Sequence, residues 1–125
     1  MATAEIKRYW DAVAALGCVV CQSTWQTTIH HVHGGSCPGL RGMGQKSSDW
    51  LVIGLCQRHH TGKDGIDGSL GVRSWEERYR PQLWHLLRVG RALGIDTFAR
   101  AEVSLDKLWS LLCSETSPRS LASLD

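Results

Sequence analysis

The sequence predicts a small α+β domain in which a β-hairpin is flanked by helices. Two short apolar runs, residues 25–32 and 50–53, contain β-favouring residues and are separated by a glycine-rich stretch, which is typical of an antiparallel hairpin. Amphipathic segments lie before and after these runs. A chain of 125 residues can bury one modest core, and a domain of this size gains stability from a bound metal.

The N-terminal helix is predicted over residues 4–16. Ile6, Trp10 and Val13 recur there at helical spacing, and Thr3 can accept a hydrogen bond from a backbone N–H at the helix start. An apolar stripe of this kind usually faces the core, so packing is the predicted role of this helix.

The C-terminal flank is predicted to be helical over residues 74–112. Ser74 can cap the first helix of this flank, and Pro81 is suited to the first turn of the next one. Residues 114–125 are rich in serine and are expected to form a flexible tail. A single domain is therefore predicted over residues 1–113.

The charge balance excludes a strongly basic nucleic-acid-binding protein. The formal net charge is only +2, so any affinity for DNA must come from local clusters of basic residues. One such cluster is carried on or beside the histidine-rich segments. Its predicted nucleic-acid-binding residues are Arg41, Lys46, Arg58 and Lys63.

The sequence predicts a cytosolic protein without a membrane partner. It has no run of about 18 apolar residues, and its N-terminus lacks the basic-then-apolar pattern of a signal peptide. The five cysteines are an odd number, and the cytosol is reducing. Metal ligation is therefore favoured over disulfide formation.

Two ligand pairs predict a structural zinc site. Two residues separate Cys18 from Cys21, and two residues also separate Cys56 from His59 further along the chain. Together the pairs supply the four ligands of a tetrahedral Cys3His site. The alternative interpretation is that the cysteines are buried apolar thiols, as free cysteines often are.

The histidines form two dense groups, His30-His31-Val-His33 and His59-His60, which predict metal or catalytic chemistry. Adjacent side chains on a helix diverge by about 100°. We therefore expect His59 to face the zinc and His60 to face a second, catalytic cation. Side chains alternate along a strand, so His31 and His33 would share one face, and this pair is the alternative to the His30/His31 doublet.

These motifs resemble the HNH, or ββα-metal, nuclease family, and most of all phage-borne HNH proteins of the recombination enhancement function (Ref) type. Those proteins are RecA-dependent nucleases. The resemblance covers about residues 18–79 and implies a small ββα-metal core with a zinc knuckle. It is carried by His30-His31-Val32, Gly42-Met-Gly-Gln-Lys46, Asp49, Leu55-Cys56, His59-His60-Thr-Gly62 and Gly65-Ile-Asp-Gly68.

The resemblance implies a metal-dependent DNA endonuclease that hydrolyses phosphodiester bonds in a bacterial or phage-infected cytosol, with a RecA filament presenting the DNA. It assigns His30 and His60 as ligands of the catalytic cation. It assigns His31 as the general base that takes a proton from the attacking water. Such a reaction needs an activated water, a base and a Lewis acid for the developing charge.

The sequence departs from the family pattern at two points. It contains no asparagine, so Asp49 is the nearest candidate to orient the base. Asp67 stands where related sequences would present a histidine, and its carboxylate favours Mg²⁺ or Mn²⁺ over Zn²⁺ as the catalytic cation. Asp64, four residues after His60, is the alternative ligand.

The rival prediction belongs to another functional class. Both departures are also compatible with a catalytically weakened, zinc-stabilised module that binds DNA or protein.

Overall fold

The computed structural model describes residues 3–38 and 48–114 and has the predicted α+β architecture. In chain order its elements are α1 (Ala4–Ala15), β1 (Thr28–His31), β2 (Val52–Leu55), α2 (Gln57–His60), α3 (Gly71–Tyr79), α4 (Gln82–Leu93), α5 (Thr97–Arg100) and α6 (Leu105–Ser114). The last helix includes Ser114, and the rest of the predicted tail lies outside the described residues.

The two strands form the predicted antiparallel hairpin, but β1 occupies only part of the predicted run 25–32, and β2 begins two residues later than the predicted run 50–53. Thr28 pairs with Leu55 at one end of the ladder, and His31 pairs with Val52 at the other. The first strand starts late because Gln26 has a φ of 51° and the Thr27 hydroxyl donates to a carbonyl four residues earlier, at 2.9 Å. These features form a turn where the apolar pattern alone predicted strand.

Helix α1 forms as predicted and is capped by Thr3. The Thr3 hydroxyl oxygen accepts a hydrogen bond from the Ile6 backbone N–H at 3.1 Å. Ile6, Tyr9 and Val13 are buried on one side of the helix, so its apolar stripe packs against the core. Gly17 follows with a φ of 86°, a left-handed conformation that ends the helix.

Helix α1 also holds the backbone that leads into β2. The Tyr9 hydroxyl donates to the carbonyl oxygen of Trp50 at 3.1 Å, and the Trp10 indole N–H donates to that of Asp49 at 2.9 Å. The helix therefore determines where Asp49 lies, a role that the sequence prediction did not assign to it.

The C-terminal flank is helical, but the predicted Ser74 cap is wrong. Helix α3 begins at Gly71, so Ser74 lies inside it and is exposed. Trp75 is fully buried and Val72 and Tyr79 pack against the core, which sets the helix position by burial rather than by a cap.

Helices α4 and α5 complete this flank. Pro81 is the N-cap residue of α4, and Gly94 ends that helix in a left-handed conformation. Helix α5 lies within the flank predicted to be helical, although no separate helix was predicted there. It is capped by Asp96 through a carboxylate oxygen that accepts from the Ala99 N–H at 3.0 Å. Within residues 3–38 and 48–114, no helix has the length and apolar character needed to cross a membrane.

His85 is buried between helices α3 and α4. Its Nε2–H donates to the Tyr79 carbonyl oxygen at 2.6 Å, and its ring contacts Trp75 and Trp84. Burial above all, together with the charges of Arg80 and Arg88, lowers the pKa of His85 from 6.5 to about 4 against the opposing effect of the Tyr79 carbonyl. The imidazole is therefore neutral in the folded protein at neutral pH.

We predict that His85 makes the fold acid-sensitive. In the unfolded chain this group takes up a proton near pH 6.5, but in the folded chain only near pH 4, so stability is lost as the pH falls between these values. From about pH 7.5 to about pH 5 the loss should be about 2 kcal/mol. His85→Gln, which keeps an N–H donor for the Tyr79 carbonyl, should lose less stability over this range.

The measurement is chemical denaturation of both proteins at each pH. For each protein, the change in the free energy of unfolding between the two pH values is determined. The difference between the change in wild type and the change in His85→Gln isolates the contribution of His85 from those of other acid-sensitive groups. Equal changes in wild type and variant would contradict the prediction.

Candidate metal centres and catalytic histidines

The first candidate site is formed by Cys18, Cys21, Cys56 and His59, whose ligand atoms all lie within 4.8 Å of one another. The Cys21 and Cys56 sulfurs are 3.8 Å apart. The Nδ1 atom of His59 lies 3.7 Å from the Cys18 sulfur and 3.2 Å from the Cys56 sulfur. The two predicted ligand pairs therefore meet.

These distances fit a tetrahedral metal ion. Metal–sulfur bonds of about 2.3 Å and a metal–nitrogen bond of about 2.0–2.1 Å place two sulfurs about 3.8 Å apart and sulfur and nitrogen about 3.6 Å apart. The observed separations lie close to these values. The four side chains can hold a metal ion without rearrangement of the backbone.

Backbone hydrogen bonds build both halves of this site. In the first half, the Gln22 N–H donates to the Cys18 carbonyl at 2.8 Å, which closes the turn between the two cysteines. The Val19 N–H donates to the Gly54 carbonyl of β2 at 2.9 Å and joins this turn to the hairpin. In the second half, Cys56 is the N-cap residue of the single-turn helix α2.

The protonation states of the ligands differ. Burial raises the pKa of the Cys18 thiol to about 11, so a metal must displace its proton at neutral pH. Burial lowers the pKa of His59, and the charge of Arg58 lowers it further. A neutral imidazole is the form that binds a metal, so His59 has the required charge state.

The second candidate site is centred on the Asp67 carboxylate. One of its oxygens, Oδ2, lies 3.1 Å from His30 Nδ1 and 3.2 Å from His60 Nε2. The other, Oδ1, lies 2.8 Å from His33 Nε2. Three imidazoles thus surround one carboxylate.

Charge favours an ionised carboxylate at this site. Burial raises the pKa of Asp67, but the hydrogen-bonding nitrogens and charges of His30 and His33 outweigh it and hold the pKa well below its usual range. Burial and the neighbouring His30 lower the pKa of His60, so its ring loses a proton readily. An anionic oxygen among imidazole nitrogens is a suitable donor set for a divalent cation.

The group with all ligand atoms within 4.8 Å of one another contains His30, His33 and Asp67 but not His60. Proximity alone therefore favours His33, whereas the resemblance favours His60. Both nitrogens contact Asp67, at 2.8 and 3.2 Å respectively, and a contact with the carboxylate does not identify a ligand. We consider the hydrogen bonds at the far side of each ring more informative, because they determine which nitrogen is unprotonated.

His33 reaches the His30 side because β1 ends at His31. Strand alternation would place His30 and His33 on opposite faces, but their ring centroids are 5.3 Å apart. Beyond the strand end the chain turns, with Gly34 and Gly35 at φ values of 61° and 48°. The face assignment predicted for His33 is therefore wrong.

A turn stabilised by backbone hydrogen bonds brings Asp67 to this site. The Asp67 N–H donates to the His60 carbonyl at 2.8 Å, and the Ile66 N–H donates to the His59 carbonyl at 3.2 Å. Ile66 is buried and anchors the turn. The segment after α2 thereby folds back along the helix instead of extending it.

Asp64, the alternative ligand, lies in a different environment. Its carboxylate accepts hydrogen bonds from Arg58 Nε at 2.6 Å and from Arg78 at 3.3 Å. These arginines lower the pKa of Asp64 and hold its carboxylate outside both metal-binding groups.

His31, which follows His30 in β1, forms a hydrogen-bonded pair with Asp49. His31 Nε2 donates to Asp49 Oδ1 at 2.8 Å, since an ionised carboxylate can only accept. The ring edge of Trp10 packs against His31 with centroids 5.7 Å apart. This arrangement leaves Nδ1 of a neutral His31 as the nitrogen that can accept a proton.

The predicted nucleic-acid-binding residues are only partly described. Arg41 and Lys46 lie outside the described residues. Arg58 is exposed but its guanidinium pairs with Asp64, and Lys63 is exposed in the turn after α2.

Two positions that the sequence analysis missed contact the histidines of the second site. Gln82, the first residue of α4, hydrogen-bonds His30 across 52 positions of sequence. The Thr28 hydroxyl contacts His60 across 32 positions. Neither residue belongs to a local ligand motif, so no sequence signal indicated its proximity to the site.

Comparison with known proteins gives a family match. The family model described as "Recombination enhancement, RecA-dependent nuclease" matches residues 2–82, which include both candidate sites and α1. No curated protein and no solved structure matches the chain.

We predict that Cys56→Ser removes the metal from the first site and lowers the melting temperature by about 10 °C or more. The reason is that metal binding contributes to the free energy of folding in such sites. Each kcal/mol lost from the free energy of unfolding lowers the melting temperature by a few degrees. Elemental analysis and thermal unfolding measure the two effects. Cys113→Ser is the matched control, since Cys113 is exposed and outside the group. Full metal content in Cys56→Ser would contradict the prediction.

Proposed function

Because the chain belongs to the family of recombination enhancement, RecA-dependent nucleases, we propose that it is an HNH-type endonuclease that hydrolyses DNA phosphodiester bonds. The proposed nuclease domain comprises residues 1–113, with an HNH core over about residues 18–79.

The observation that carries this proposal is the placement of two functional groups on adjacent residues of one strand. His31 hydrogen-bonds Asp49, and the preceding His30 contacts Asp67 together with His60. A potential base thus directly follows a potential cation ligand in the same strand. Phosphodiester hydrolysis requires this combination.

In the proposed mechanism, His31 accepts a proton from the attacking water through Nδ1. Asp49 accepts the hydrogen bond from Nε2–H, holds the ring orientation, and stabilises the imidazolium as it forms. Asp49 thus takes the orienting role that the missing asparagine would have. When bound, a divalent cation acts as a Lewis acid for charge developing on the phosphate and the leaving oxygen.

We propose two different metal ions. Zinc fits the Cys3His group, because three thiolates and one imidazole form a typical closed structural zinc site. The second ion is held by His30, His60 and Asp67. The Asp67 carboxylate favours Mg²⁺ or Mn²⁺ as this second ion, with Zn²⁺ as the alternative.

The family description supports DNA as substrate and RecA as the partner that presents it. Arg41, Lys46, Arg58 and Lys63 remain the proposed phosphate-contacting residues. Their role is local, since the formal net charge of the whole chain is only +2.

We predict that His31→Ala lowers the rate of DNA cleavage by at least about a hundredfold, because it removes the general base. The assay compares single-stranded, duplex and RecA-coated DNA with Mg²⁺ or Mn²⁺. Wild-type activity in His31→Ala would contradict the base assignment. His85→Gln is the matched histidine control and should retain activity, because His85 hydrogen-bonds a helix carbonyl outside both sites.

Metal stoichiometry distinguishes the nuclease from the rival binding module. The nuclease should hold one tightly bound zinc per chain and bind a second divalent cation reversibly. A single zinc with no second site, together with no cleavage of any of the three DNA forms, would favour the module.

A further inference from the structure

We propose that Gln82 and Thr28 are positioning residues that select opposite ring tautomers in His30 and His60, so that each ring presents an unprotonated nitrogen to a cation that would lie beside the Asp67 carboxylate. This inference rests on the proposed cation site and identifies which histidines serve it. Neither Gln82 nor Thr28 needs to touch the cation or the DNA.

The orientation of the Gln82 side-chain amide follows from its contacts with the backbone of His33. The His33 N–H donates to Gln82 Oε1 at 3.1 Å, and Gln82 Nε2 donates to the His33 carbonyl at 2.8 Å. A backbone N–H can only donate and a carbonyl can only accept, so the oxygen and nitrogen of the amide are assigned by their partners.

The Glu76 carboxylate reinforces this orientation. Glu76 Oε2 accepts from the Gln82 backbone N–H at 2.7 Å and from its side-chain Nε2 at 3.3 Å. The Ser36 hydroxyl donates to the same oxygen at 2.6 Å. Gln82 itself is fully buried, so water does not compete for its hydrogen bonds.

The assigned amide determines the tautomer of His30. Gln82 Oε1 lies 3.0 Å from His30 Nε2 and can only accept, so His30 Nε2 must carry a hydrogen. In a neutral imidazole the other nitrogen, Nδ1, then has a free lone pair. This nitrogen is the one that lies 3.1 Å from Asp67 Oδ2.

The Thr28 hydroxyl determines the tautomer of His60 by the same reasoning. Its single hydrogen is donated to the Leu55 carbonyl at 2.9 Å. Its 2.8 Å contact with His60 Nδ1 must therefore be one in which the hydroxyl oxygen accepts, so Nδ1 carries the hydrogen. The lone pair of His60 is on Nε2, 3.2 Å from the same Asp67 oxygen.

When both rings are neutral, two imidazole lone pairs and an ionised carboxylate oxygen therefore converge without a hydrogen between them, whereas a proton on either ring would fill that place by donating to Asp67. Such an arrangement is repulsive on its own and becomes favourable when a cation lies among the three atoms. Among the described hydrogen bonds, His33 has no contact that assigns its ring in this way, and its Nε2–H can donate to Asp67 Oδ1 at 2.8 Å. The two lone pairs thus identify His30 and His60 as the ligands, and His33 has an orienting role.

The test uses the full chain with the Cys3His site loaded and ¹⁵N-labelled histidine. Long-range ¹H–¹⁵N spectra in the presence of Mg²⁺ should show His30 protonated at Nε2 and His60 protonated at Nδ1. The opposite tautomer at either ring would overturn the proposal.

Thr28→Val and Thr28→Ser form a matched pair that separates the hydroxyl from the shape of the side chain. Calorimetric titration with Mn²⁺ should show affinity about tenfold or more weaker in Thr28→Val. Thr28→Ser, which keeps the hydroxyl, should bind Mn²⁺ with the affinity of the wild type. Equal Mn²⁺ affinity in Thr28→Val and wild type, or no Mn²⁺ binding by the wild type, would overturn the proposal.

Gln82→Met tests the other ring. This variant should weaken Mn²⁺ binding to a similar degree and should replace the single His30 tautomer with a mixture of both. Unchanged His30 spectra would overturn the positioning role of Gln82. Because Gln82 is buried, melting temperature and zinc content are measured alongside, and the exposed Thr28 pair gives a result even if Gln82→Met does not fold. Wild-type protein with these tautomers and Mn²⁺ affinity but no DNA cleavage would refute the nuclease proposal while supporting this one.

Discussion

The antiparallel pairing of β1 with β2 determines where the functional side chains lie. Its register places Thr28 opposite Leu55 and His31 opposite Val52. A slip of one residue would exchange the faces of His31 and its neighbour and would separate the Thr28 hydroxyl from the Leu55 carbonyl that takes its hydrogen. A two-stranded hairpin is only marginally stable by itself in water, so this register needs support from other parts of the chain.

Three sets of contacts provide that support, and each also positions a functional group. Tyr9 and Trp10 of α1 hold the carbonyls before β2 and thereby place Asp49 beside His31. The Cys3His group joins the cysteine turn to α2, and a metal bound there would hold together the two segments that flank the hairpin. Helix α2 has a single turn, too short to be stable by propensity alone, so this crosslink matters for His59 and the following His60.

The third set lies at the junction of α3 and α4. Glu76 receives hydrogen bonds from Ser36 and Gln82, and so connects the loop after β1 to both helices. Gly35 allows this approach, because a Cβ atom there would collide with the Glu76 carboxylate and the residue has a φ of 48°. Through Gln82 the same junction reaches the rings and backbone of the histidine segment, which links a helical flank to the chemistry of the site.

The sequence by itself determined the α+β class, the hairpin, the first helix with its Thr3 cap, and the composition of the Cys3His group. The helix, the strands and each ligand pair follow from local spacing, because residues a few positions apart must lie close together whatever the rest of the chain does. The joining of the two ligand pairs, which are far apart in sequence, could be predicted only because each pair supplies half of a tetrahedral ligand set. Tertiary structure alone decided that Asp67 approaches the histidines while Asp64 pairs with arginines, and that His33 joins His30. Tertiary structure also brought Gln82 to the His30 ring and Thr28 to the His60 ring. These contacts join residues far apart in sequence or depend on where a strand ends, and no local pattern encodes either.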